Sequence, residues 1–192
     1  MKVENNNIIK EIQLSADIIS KSSNLTPKIE KSINLIIEAI KNGNKIILFG
    51  NGGSAADAQH IAAELMGKFQ LKRRSYPAIA LTDNSSTVTA VGNDFSFDDI
   101  FSRQCEGIVN NNDVVIGIST SGNSKNVIQG IKMAKKMKAN TIGLLGSKGG
   151  KLKQIVDVPI IVSSTSTPKI QEVHRVISHI ICKIVEERLE RK

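Results

Sequence analysis

From Lys45 onward, five short apolar runs alternate with segments of helical periodicity, and this alternation restricts the chain to one fold class. The runs are Lys45–Phe49, Ala78–Leu81, Val114–Ser119, Thr141–Leu145 and Val158–Val162. Each is largely apolar at successive positions, as expected of a strand covered on both faces in a parallel sheet. Helical patterns near Ser54–Lys68, Phe97–Val109, Ser124–Met137 and Lys151–Ile155 separate them, and a last helix is expected from about Lys169 to Glu190. Such interleaving predicts an α/β fold, a doubly wound three-layer α/β/α sandwich with a five-stranded parallel sheet. Two further helical patterns come first, roughly Ile8–Ile19 and Pro27–Lys41. Thr26 is the expected N-cap of the second, with Pro27 at its first helical position and Gly43 as its stop. No repeat or linker divides the 192 residues, so residues 1–192 read as a single domain, with helices in 1–43 and the α/β core in 44–192.

Composition narrows the partners. No apolar run approaches the roughly 20 residues of a membrane span, and the opening stretch MKVENNNIIKEIQLSAD lacks the apolar h-region of a signal peptide. The two cysteines, Cys105 and Cys182, have no CxxC spacing, which fits a reduced, cytoplasmic protein. A net charge of +8 raises the question of nucleic acid, but aromatics are only 3%, too few for a stacking platform, and no RNA- or DNA-binding signature occurs. The basic clusters Lys68–Arg74 and Lys132–Lys138 read as solvated helix faces that attract anionic metabolites.

Two polar loops follow strands and open helices. GNGGS, Gly50–Ser54, offers glycines that admit a ligand close to the backbone and free N–H groups that attract an anion. Ser54 is placed to cap the helix, with Asp57 three residues on as a partial capping box. STSGNS, Ser119–Ser124, sets the hydroxyls of Ser119, Thr120, Ser121 and Ser124 around a glycine, a cradle that can hold a phosphate without lysine. Ligands of doubly wound folds bind outside the carboxyl ends of the strands, where both loops lie.

The helix after the first loop carries Asp57, His60, Glu64 and Lys68 within roughly 80° of one another, at about 100° per residue. Ala55, Ala62, Leu65 and Met66 occupy the other side. His60 and Glu64 therefore share a polar stripe, and such a pair can ligate one metal ion or form an ordinary surface pair. On the last helix, Val173, Val176, Ile177, Ile180, Ile181 and Ile184 form an apolar stripe, with His174 at its edge as a core or interface histidine. Gln171 and His179 lie off that stripe, again within about 80°. They could flank an ion or face solvent. Asn93 and Asp94, in VGNDFSFDDIF, could bond a polyol or cap the following helix, and spacing does not decide between these.

Together, GNGGSAADAQHIAAEL, AVGNDFSFDDIFSRQ, GISTSGNSKNVI and IQEVHRVISHII resemble the phosphoheptose isomerases, a branch of the flavodoxin-like sugar isomerase (SIS) fold. The likeness runs from about Lys45 to Glu187. It implies a homotetramer, with the N-terminal helices used in oligomerisation and sites at subunit interfaces, that interconverts sedoheptulose 7-phosphate and D-glycero-D-manno-heptose 7-phosphate, the first step toward nucleotide-activated heptose. It also implies one zinc ion per subunit on His60, Glu64, Gln171 and His179. Substrate contacts are implied at Asn51, Gly52, Gly53, Ser54, Glu64, Asn93, Asp94, Ser119, Thr120, Ser121, Ser124 and Gln171, with Glu64 and His179 as the catalytic base and acid. Many relatives carry arginine where Lys68 stands, and lysine lacks the bidentate fork. Relatives often carry an acidic residue just before the glutamine, where SSTSTPK has none. The rival readings are a non-enzymatic SIS-fold protein of the replication-initiator-associating type, and an isomerase of another sugar phosphate.

Overall fold

The computed structural model describes residues 2–191, so the first and last positions of the expected domain lie outside the described residues. Helix α1 (Lys2–Lys21) passes through a 3-10 turn at Ser22–Leu25 into helix α2 (Thr26–Lys41). The chain enters α2 already helical, so Thr26 does not cap it: Leu25 holds the cap position, and the Thr26 hydroxyl donates back to Ser23 O at 2.7 Å. Pro27 sits in the first turn, as expected. Then follow β1 (Ile46–Gly50), α3 (Gly53–Met66), β2 (Ala78–Ala80), α4 (Ser85–Asp94), α5 (Ile100–Ile108), β3 (Val114–Ser119), α6 (Lys125–Lys136), β4 (Asn140–Gly146), β5 (Val158–Val162) and α7 (Thr167–Glu190).

The strands form one parallel five-stranded sheet in the order β2-β1-β3-β4-β5. Strand β1 explains the continuous apolar runs. Ile46 and Leu48 enter the core shared with α2, α3 and α7, whereas Ile47 and Phe49 enter the opposite core with Phe101 and Ile131. Each such large side chain contributes roughly 1.5–3 kcal/mol by leaving water. The chain runs from β1 outward to β2, then returns to pair β3 against the other side of β1, so winding reverses between β1 and β3. The two polar loops leave these adjacent strands at the reversal, the place where doubly wound sheets bind ligands.

Three elements differ from expectation. Helix α4, SSTVTAVGND, has no counterpart in the periodicity, because its β-branched residues and glycine have low helix propensity. It is fixed by a cap instead, the Asn84 side chain accepting from Thr87 N at 3.0 Å. The helix expected over Phe97–Val109 is a 3-10 turn, Phe97–Asp99, followed by α5. The one expected over Lys151–Ile155 is only a 3-10 turn at Leu152–Gln154.

Candidate active site

Helix α3 begins one residue earlier than its sequence suggests. Gly52 occupies the cap position at φ +55°, a conformation that favours glycine, and Ser54 is buried inside the first turn with no capping bond. The next residue, Gly53, is pressed against the Gln171 amide of α7, and any side chain there would collide with it. The Gln171 amide thus lies at the mouth of α3, beside the loop that the sequence marks for anions.

Two turns along α3 lies His60, and opposite it on α7 lies His179. Their Nε2 atoms face each other at 2.8 Å, and Glu64 Oε1 is 3.5 Å from the same His60 nitrogen. Ligating atoms of His60, Glu64 and His179 all lie within 4.8 Å of one another, a possible metal-binding site. Two facing nitrogens cannot both carry protons, so they share one hydrogen or one cation. Burial, and then the nearby Arg175 guanidinium, lower the His60 imidazole below its ordinary value, which favours the neutral ring that a cation needs.

Two expectations for this stripe are corrected. Asp57 is not on an open polar face: it is 5% exposed and bonded to Arg175 of α7 at 2.6 Å, and burial raises its carboxyl even against that partner. Lys68 lies beyond the end of α3 at Met66, so it does not extend the stripe. Met66, on the other side of the helix, is half exposed. Nor is Lys68–Arg74 a solvated helix face, for the Arg73 side chain is 1% exposed and paired with Glu186 at 2.8 Å.

The hydroxyl loop after β3 has internal order. Ser119 Oγ lies 3.0 Å from Ser124 Oγ and accepts from Gly122 N at 3.2 Å, while Ser121 Oγ accepts from Asn123 N at 3.1 Å. Thr120 is half-buried and Ser121 exposed. Asn51 is tied to this loop through Asn126: the two amides exchange hydrogen bonds, both 2.9 Å. Asn126 is a residue that sequence reasoning missed, as an asparagine in a helix start gives no distinguishing signal. Asn93 and Asp94 end α4, exposed, with Asn93 donating to Asp94 at 2.8 Å. Within the chain they do not join the His60–Glu64–His179 cluster. His174 is the third histidine, wholly buried, its Nε2 donating to Leu145 O at 3.1 Å, as befits a core residue.

Comparison with known proteins agrees with this geometry. The SIS domain family model matches residues 12–146. The phosphoheptose isomerase of Geotalea daltonii is 53% identical over 165 residues, 86% of each chain. Among solved structures, the phosphoheptose isomerase from Neisseria gonorrhoeae superposes with a TM-score of 0.90 at 36% identity, covering 95% of this chain and 98% of that one. The phosphoheptose isomerase from Francisella tularensis gives 0.92 at 32% identity, covering 96% and 98%. A helix pair that converges imidazoles and a carboxylate, with two polar loops at the strand ends, on this sheet and at this identity, places the chain in the SIS domain family, among its phosphoheptose isomerases.

Proposed function

We propose that the chain is an aldose–ketose isomerase that interconverts sedoheptulose 7-phosphate and D-glycero-D-manno-heptose 7-phosphate. The observation that carries this is the convergence of His60, Glu64 and His179 within 4.8 Å beside the two strand-end loops. Isomerisation moves one proton between C1 and C2 through an enediol. Glu64 takes the proton from C1 and returns it to C2; His179 gives a proton to the O2 carbonyl and receives one from the O1 hydroxyl. The Ser119–Ser124 loop, with Thr120 and Ser121, holds the phosphate, and Asn51–Ser54 orients the polyol. Two imidazoles and a carboxylate are a donor set that suits zinc, with Gln171 as the expected fourth ligand. When bound there, one ion per subunit would polarise the oxygens at C1 and C2.

The reading extends to a homotetramer whose sites lie at subunit interfaces. It is supported by an apolar groove of about 460 Å³ between α2 and α7, lined by Ile19, Ile29, Val176, Ile180 and Ile184, and by exposed Ile8, Ile9 and Ile12 on α1. In such an assembly Asn93 and Asp94 would serve a neighbouring copy. The reading also keeps the protein in the cytoplasm, supported by two buried free thiols and by the lack, among the described residues, of any helix long and apolar enough to cross a membrane. A non-enzymatic binding protein has no need of the clustered ligands, which this chain retains.

The test is incubation with sedoheptulose 7-phosphate, with and without a chelator, following the aldose by NMR. Chelator-sensitive aldoheptose phosphate supports both reaction and ion. Activity that survives chelation removes the ion from the chemistry, and no product from folded, zinc-loaded protein defeats the reading.

A further inference from the structure

Two turns beyond His179 on α7, Glu186 is 1% exposed and wholly occupied. Its carboxylate accepts from Phe69 N (3.0 Å), Gln70 N (2.8 Å), Leu71 N (2.9 Å) and Arg73 Nε (2.8 Å). Burial alone would raise this carboxyl, yet the three backbone donors and Arg73 hold it below the ordinary range, so it is charged at neutral pH. The Arg73 guanidinium stacks on Tyr76 at 3.8 Å and donates to carbonyls at the end of α3, Glu64 O and Leu65 O at 3.0 Å and Gly67 O at 3.2 Å, and to Arg74 O at 2.9 Å. A cation at a helix carboxyl end complements its dipole. The segment Glu186 grips also sets the Phe69 ring 5.7 Å from the His179 ring.

Turning the chain from α3 toward β2 does not require a buried ion pair, and an ion pair sealed from water is weak support for stability. The chemistry on either side of it suggests another use. Arg73 fixes the backbone of the residue assigned as base, and the gripped loop backs the ring assigned as acid.

We infer that Glu186 and Arg73 form a latch of positioning residues, which holds Glu64 through its carbonyl and His179 through Phe69 so that their side chains meet at one point. This inference rests on the isomerase reading above, and extends it to residues outside the ligand cluster.

Two variants test the latch. Glu186→Gln keeps shape and removes charge; Arg73→Lys keeps charge but loses the fork that spans the Glu64 and Leu65 carbonyls. Kinetics with sedoheptulose 7-phosphate are read together with zinc affinity, measured by competition with a chromophoric chelator, on protein shown by circular dichroism to be folded at the assay temperature. The latch predicts a fall in kcat of ~10–100-fold and zinc binding weaker by ~10-fold, with KM moved less than about threefold because the phosphate loop hangs from β3. A lower melting temperature with kcat and zinc affinity within about twofold of the parent would overturn it. Should Glu186→Gln not fold, Arg73→Lys and Phe69→Leu decide by the same two readouts. If the parent itself makes no aldose, the isomerase reading has failed, and zinc competition still decides the latch: weakened binding in the variants upholds it, unchanged binding removes it.

Discussion

The two ends of the parallel sheet treat polar groups in opposite ways. At the amino end, Asp113 is 1% exposed and fully answered: Lys45 N at 3.0 Å, Asn110 N at 2.7 Å and the Lys45 ammonium at 2.7 Å all donate to it. Asp157, though half exposed, takes Thr141 N and the Thr141 hydroxyl at 2.9 and 2.6 Å. At the carboxyl end, the His60 and His179 Nε2 atoms face each other at 2.8 Å, sharing one hydrogen or one cation, and Glu64 stands 3.5 Å off. One end uses polarity to close the fold, and the other leaves it open for a ligand.

That contrast can be broken by exchanging effects between the ends. The largest is expected at the open end. Glu64→Gln should lower kcat by about 10²–10⁴-fold while the melting temperature barely moves. Near-full activity would remove Glu64 from the chemistry. The sealed histidine comes next. Burial pushes His174 down to about 4, so between that value and 6.5 the unfolded chain binds a proton that the folded chain refuses. Stability should therefore be full near neutrality and fall as the pH drops through this window, by about 3 kcal/mol at its lower limit. Urea titrations at pH 7 and pH 4.5 would measure it, and a flat profile would mean that His174 accepts the proton in place.

The closed end should show the reverse of Glu64. Asp113→Ala is expected to lose about 2–3 kcal/mol by stranding Lys45 and two N–H groups, with kcat per folded molecule unchanged. A large loss of kcat there would erase the division between the ends. The smallest effect is expected from Lys135→Ala, which removes a half-exposed pair with Asp157 and should shift stability by less than about 1 kcal/mol, screened further by salt.

The strands were legible because a strand between two helical layers must be apolar at every position, and Ile46–Phe49 records that requirement residue by residue. The His60–Glu64 and Gln171–His179 pairs were legible because helical spacing alone sets their faces. Helix α4 was hidden because a single side-chain cap at Asn84, and no periodicity, carries its signal. Arg73 was hidden for a different reason. In a run of basic residues nothing local separates the one that is buried from those that are solvated, since its partner Glu186 lies 113 residues away. Buried Asp57 was misread likewise, its partner Arg175 coming from another helix.

The reciprocal amides of Asn51 and Asn126 carry a consequence for how such a site can diverge. Asn126 Oδ1 also accepts from Val127 N at 2.8 Å, so its amide cannot turn over to suit a new neighbour. Asn51→Asp would then set oxygen against oxygen at the junction of the two loops, and Asn126→Asp would do the same from the other side. A carboxylate at either position alone therefore breaks the reciprocal pair, so the link between the Gly50–Ser54 loop and the start of α6 depends on both amides together.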